Sequence, residues 1–146
     1  METPIDTSRI AVLPLDAAQG WIAKNCKPAT LTTAEVIAIE QVLDSVIAGY
    51  NAEQAKYLAR MQKQYPQEKF HREAFVIDLE RYQRQYVPFF NQKGEKEVWI
   101  NCFCNNSEPD WRKYIVFVLD GGNCYFNLKV NLDQGSYYEF MVNGEA

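Results

Sequence analysis

The stretch LTTAEVIAIEQVLDSVIAGYNAEQAKYLARMQKQYP, residues 31–66, decides the fold class. Thr32 and Glu35 stand at the head of an apolar run with the spacing of a capping box. In that arrangement the Thr32 hydroxyl accepts from the Glu35 amide, and the Glu35 carboxylate accepts from the Thr32 amide. Leu31 and Val36 occupy the two staple positions. Apolar residues then recur at Val36, Ile39, Leu43, Val46, Ile47 and Tyr50, one face of a helix with a period of about 3.6 residues. Gly49 offers a stop, and Asn51 with Gln54 a restart, yet Tyr57, Leu58, Met61 and Tyr65 continue the same stripe. One long helix over residues 33–64 is therefore predicted, ended before Pro66 because proline disfavours helical backbone in the residue ahead of it. The stripe reads as a core face.

Beyond Pro66 the period falls to two. Phe75-Val76-Ile77-Asp78-Leu79 opens an extended run that continues through Tyr82, Tyr86 and Val87 to Pro88. Asn91-Gln92-Lys93-Gly94 is a hairpin connection. Glu97 to Cys104 alternates, with Val98, Ile100, Cys102 and Cys104 on one side. Asn105 to Asp110 is a polar loop, and Tyr114 to Leu119 is the near-continuous apolar run expected of a central strand. Asp120-Gly121-Gly122-Asn123 marks a tight turn. From Cys124 to Leu132, Cys124, Phe126, Leu128, Val130 and Leu132 point inward; Tyr125, Asn127, Lys129 and Asn131 point outward. Asp133-Gln134-Gly135 turns again, and Tyr137 to Val142 closes the sheet. Ahead of the helix, Ile10 to Leu15 reads as a short strand and Leu15 to Asn25 as a short helix or turn holding Trp21. A helix followed by hairpin-linked strands defines an α+β domain, the helix lying across one face of a four- to five-stranded antiparallel meander. Residues 1–146 form one domain, with an N-terminal segment over 1–30, the helix over 31–65 and the sheet over 70–146.

Composition narrows the function classes. A chain of 146 residues suits one core, and 47% hydrophobic with 23% charged residues is neither disordered nor fibrous. No stretch approaches the roughly 20 apolar residues of a membrane-spanning helix. Met1 to Asp16 lacks the basic and apolar regions of a secretory signal. The protein is therefore expected in the cytoplasm if Met1 is the native start, and outside it if a leader has been removed. Four cysteines are too sparse for a disulfide scaffold, and Asn105-Asn106-Ser107 is a formal glycosylation sequon. Net charge is −4, although residues 56–84 carry seven basic side chains against four acidic ones. That segment reads as a solvated helix face beside a sheet edge, so no nucleic-acid partner is expected.

The later part of the chain also resembles a known group. Arg84-Gln85-Tyr86, then Lys93-Gly94-Glu95-Lys96 leading into Trp99-Ile100-Asn101-Cys102-Phe103, is similar to a pattern in small bacterial proteins of uncharacterised function. Asp120-Gly121-Gly122-Asn123-Cys124-Tyr125-Phe126 and the terminal Asn143-Gly144-Glu145-Ala146 belong to the same pattern, which covers roughly residues 80–146. The resemblance implies no activity and no functional residues. In arrangement, a long helix before an antiparallel meander resembles the cystatin-like and NTF2-like folds, which host inhibitors, carriers and enzymes alike.

Eight Phe, nine Tyr and three Trp stand against a single histidine, so titratable chemistry has little to work with. Cys102 and Cys104 fall on one strand face roughly 7 Å apart, too far for a bridge. The meander puts Cys124 level with Val98 or Trp99, far from Cys104. No metal site is expected, nor a cofactor. A cysteine nucleophile paired with His71 is disfavoured because Lys69-Phe70-His71-Arg72-Glu73 reads as an exposed connector. No phosphate loop, dinucleotide fingerprint or nucleophile elbow is present. The Asp78, Glu80, Asp110 and Asp120 carboxylates stand out only by being common, and no catalytic residue is assigned.

The anomaly is the outward sheet face. Alternation places Trp99, Asn101 and Phe103, then Tyr125, Asn127, Lys129 and Asn131, then Tyr137, Glu139 and Met141 on it. Aromatics mixed with asparagine are enriched where surfaces bind, so Trp99, Asn101, Phe103, Tyr125, Asn127 and Tyr137 are the candidate binding residues. The competing reading is that Trp21 and the N-terminal segment fold over this face and bury it as a second core. The expected function is a non-enzymatic interaction module that dimerises or binds a protein partner. The alternative is small-molecule or glycan binding, or catalysis, in a pocket of a curled NTF2-like sheet.

Overall fold

A computed structural model describes residues 6–18, 20–105 and 109–144. Asn106 and Ser107 of the sequon, and the terminal Glu145-Ala146, lie outside the described residues. The helix α1 runs over Thr33–Gln64, and its capping box is formed in both directions. The Glu35 amide donates to Thr32 Oγ1 at 3.1 Å, and the Thr32 amide donates to Glu35 Oε1 at 2.9 Å. Thr32→Ala is expected to lower stability by about 1 kcal/mol, read from the urea midpoint, with Thr32→Ser near wild type.

The chain is an α+β fold in which α1 packs on one face of a six-stranded sheet. The strands are β1 (Ile10–Val12), β2 (Lys27–Pro28), β3 (Gln83–Phe90), β4 (Lys96–Phe103), β5 (Tyr125–Asn131) and β6 (Ser136–Val142). Their order is β1-β3-β4-β5-β6, with β2 also on β3. The sheet is mixed rather than a pure antiparallel meander, because β1 pairs with β3 in parallel. The α1 stripe (Ile39, Leu43, Val46 and Ile47) meets the inward side chains Tyr86, Val98, Ile100, Cys102, Phe126, Leu128 and Val130. Asn51, at the middle of the helix, both donates to and accepts from the Ile77 backbone at 2.7 Å. Among the described residues, no helix is long and apolar enough to cross a membrane.

Four expectations fail. Residues 75–79 do not begin a strand; two short 3-10 turns, Arg72–Ala74 and Leu79–Arg81, precede β3. Tyr114–Leu119 is no strand either. β4 pairs directly with β5 along their length, so this apolar run is expelled from the sheet and lies over its outer face. That rearrangement overturns the separation expected for Cys104 and Cys124. They sit at the abutting ends of β4 and β5, with Cα atoms 5.0 Å apart, and form a disulfide. The parity of β6 also shifts. A bulge between Asn127 and Lys129, with Glu139 at φ 51°, brings Tyr138 opposite Lys129. Tyr137 pairs instead with inward-facing Val130, which removes it from the outer face where alternation had put it.

Candidate functional site

The outer face is built in cross-strand rows. Gln85, Asn101, Asn127 and Met141 form one; Val87, Trp99, Lys129 and Tyr138 form the next. Two segments cover much of it. The N-terminal segment lays Leu13 and Ala18 on Val87, Phe89 and Trp99, with Leu15, Ile22 and Ile115 packed around them. The Trp21 ring stacks on Trp99 with centroids 5.8 Å apart. The strap between β4 and β5 crosses from the other side, where Trp111 meets Phe103 edge-on.

The strap is held by side chains that replace ladder hydrogen bonds. Gln85 Nε2 donates to the carbonyls of Trp111 and Tyr114 at 2.6 and 2.7 Å. Gln85 Oε1 accepts from the Val116 amide and from Asn101 Nδ2, both at 3.0 Å. Asn101 Nδ2 also donates to the Val116 carbonyl at 2.8 Å. Further along, Asn143 Nδ2 donates to the carbonyls of Val118 and Asp120 at 2.6 and 2.9 Å. Arg112 reaches the carbonyls of Ser8 and Ile10, tying strap to N-terminal segment. Gly121 turns the chain back with φ +91°, and a Cβ there would stand 2.6 Å from the Tyr125 ring.

The six candidate binding residues therefore divide. Trp99 is 3% exposed and Phe103 0%, both buried beneath the cover, and Asn101 is buried with its amide spent on the strap. The N-terminal segment covers Trp99, as the second-core reading expects, whereas Phe103 and Asn101 lie under the strap. Tyr125 and Asn127 are half-buried, and Tyr137 is exposed outside the face. What stays open is a cleft of about 270 Å³ among Trp21, Trp99, Val116, Leu119, Asn127 and Met141, with no charged residue in its lining. Asn127 has no side-chain hydrogen bond among the described residues. Phe117, 58% exposed, and Leu119, 82% exposed, form part of the cleft's rim.

Sequence reasoning missed Gln85, Phe117 and Leu119. Gln85 carried a signal, an uncharged polar residue at an outward position in the middle of a strand. Phe117 and Leu119 were hidden by reading their segment as a strand buried on both faces.

A second, polar cleft of about 450 Å³ lies along the row of Phe89, Glu97 and Asn131, with Cys26, Lys129 and Tyr138. Buried Glu97 accepts from Asn91 Nδ2 at 2.6 Å and from the Tyr138 hydroxyl. Lys129 Nζ donates to Glu139 at 2.8 Å. Burial, then the Glu97 charge, pushes the Cys26 thiol up, and burial, then the bond to Glu97, does the same to the Tyr138 phenol. Both are held protonated, the opposite of an activated nucleophile. Burial likewise pushes the fully buried Cys102 thiol up. His71 stands on the exposed connector, 3.9 Å from Glu73. Among the described residues no three His, Cys, Asp or Glu side chains converge as a metal site.

Fold and face together define the class: an α+β domain with a mixed sheet, helix-packed on one side and strapped on the other over an aromatic cleft. The comparisons add no relative to that description: no family model, no curated protein and no solved structure matches the chain.

Proposed function

We propose that the protein is a non-enzymatic interaction module that pairs through the open part of its outer sheet face with a second copy of itself. The carrying observation is that one uncharged patch presents both a cleft and exposed apolar side chains on its rim. A two-fold interface needs such self-complementarity, since each surface meets its own image. Leu119 of one copy enters the cleft of the other, against Trp21 and Met141, and Asn127 supplies the free carboxamide that fixes register. Phe117 stands edge-on to Trp21 at 5.5 Å and holds the rim. The cystatin-like or NTF2-like arrangement remains our reading of the helix-on-sheet architecture, and the bacterial group sharing the pattern over residues 80–146 our reading of kinship.

Sedimentation equilibrium across micromolar to millimolar concentration tests the pairing. Wild type should dimerise, and Leu119→Asp should weaken association at least tenfold, about 1.4 kcal/mol, with unchanged helix content. A wild-type protein that stays monomeric throughout overturns the reading. A free small molecule or glycan is the second reading, favoured only by the Trp21–Trp99 wall. The cleft, about 270 Å³, is below the ~300–1,000 Å³ usual for such sites.

A further inference from the structure

We propose that the Cys104–Cys124 disulfide is a thiol–disulfide exchange site, attacked at Cys104 by a small carboxylate-bearing thiol, and that opening it loosens the cleft wall. A cavity of about 720 Å³ runs between the 72–81 connector and the end of β4. Cys104 and Cys124 are both half-buried, but Cys104 lines this cavity and Cys124 does not, so the cavity approaches the bond from the Cys104 side. Arg72 and Arg81 line the same cavity. Arg81 lies 3.6 Å from Asp78, whereas Arg72 makes no ion pair among the described residues. The remaining carboxylate, Glu73, lies 3.9 Å from His71. Arg72 is therefore the guanidinium in this cavity left without an ion-pair partner among the described residues, and it can hold the carboxylate of an entering thiol.

The thiolate, the reactive form, attacks Cys104 Sγ in line with the S–S bond. That bond breaks, a mixed disulfide forms on Cys104, and the electron pair passes to Cys124 Sγ, which takes a proton from water. A second small thiolate attacks the added sulfur. Cys104 leaves as a thiolate and is protonated, and the two small thiols depart as their own disulfide. Two electrons and two protons have entered the protein.

The consequence runs along the strap. Among the described residues its ends are joined by the disulfide, by the backbone bond from Cys104 N to Cys124 O at 2.9 Å, and by Asn105 Nδ2 donating to the Tyr125 hydroxyl at 3.4 Å. Val116 to Leu119, which wall the cleft, are downstream of that closure. This consequence rests on the cleft being the binding site, but the exchange chemistry does not.

All three tryptophans, Trp21, Trp99 and Trp111, lie in or against the covered face, so intrinsic fluorescence reports on it alone. The test treats air-oxidised folded protein with reduced glutathione and, separately, with uncharged dithiothreitol. Two new thiols should titrate while far-ultraviolet dichroism is unchanged, with a red shift in tryptophan emission and new proteolytic cuts between residues 109 and 123. Arg72→Ser should slow glutathione about tenfold and leave dithiothreitol within about twofold. The proposal is overturned if four thiols titrate before reduction, if thiols appear only on global unfolding, if the arginine change slows both reagents equally, or if the emission and cleavage pattern do not move. None of these readouts needs a partner, so a monomeric protein would overturn the proposed function and leave this test intact.

Discussion

Trp99→Ala should cost about 3–5 kcal/mol of folding stability, the usual penalty for truncating a fully packed tryptophan. Against a total of about 5–15 kcal/mol for a domain, that loss places the variant near the edge of folding. Trp99 is 3% exposed and lies at the centre of the outer core, with Leu13, Ala18, Val87 and Phe89 around it. Its ring is also the surface on which Trp21 stacks. Removal empties a space that the N-terminal segment and strap cannot both collapse into, since the strap is pinned by Gln85 and Asn101. Urea unfolding followed by far-ultraviolet dichroism gives the value. A loss under about 1 kcal/mol, with association changed instead, would show that Trp99 works as a surface residue and that the cover is loosely held.

The contrast between α1 and the outer face explains what could be read from the chain alone. The helix was legible because its information is local: a capping pair, a staple, one apolar stripe and a proline. The strands β4 and β5 were legible through alternation, which is also local. The strap was not. Tyr114 to Leu119 has the composition of a buried strand, and nothing within the segment says that β4 and β5 will pair directly and expel it. One wrong strand then reversed the run of the next, and Cys124 moved from the far end of the sheet to a position beside Cys104. A bulge at Glu139 is a similar case: a single residue with φ 51° exchanged the faces of Tyr137 and Tyr138. Gln85 and Asn101 show the same limit from the other side. Asn101 marked an unusual outward face and Gln85 was missed, and the strap groups both bind are backbone atoms of a segment more than ten residues away in sequence.

The inner core yields the other large effect. Arg84→Ala should destabilise the protein by about 2–4 kcal/mol at neutral pH, because it leaves a half-buried carboxylate without its cation and two carbonyls without their donor. Arg84 is 6% exposed between α1 and β3. Its Nε lies 3.3 Å from Glu40 Oε1, an ion-pair contact without hydrogen-bond alignment, while Nη1 donates to the carbonyls of Leu79 and Tyr82. The Tyr86 hydroxyl donates to the other Glu40 oxygen. Burial raises the Glu40 carboxyl above its ordinary value of 4.5, and the charge of Arg84 is the chief influence opposing the rise. A carboxyl raised in the folded state stabilises below the unfolded value, and that stability is lost as pH climbs through the folded one. Without Arg84 the rise steepens, so the penalty of Arg84→Ala should be smaller near pH 4.5 than at pH 7.5. Glu40→Gln keeps an acceptor for Tyr86 while removing the charge. The Arg84→Met, Glu40→Gln double variant should therefore be more stable than the sum of its parts, with a coupling of about 1–3 kcal/mol. A penalty that is equal at both pH values, together with additive single variants, would mean that Arg84 holds the carbonyls of Leu79 and Tyr82 and that its charge contributes nothing to Glu40.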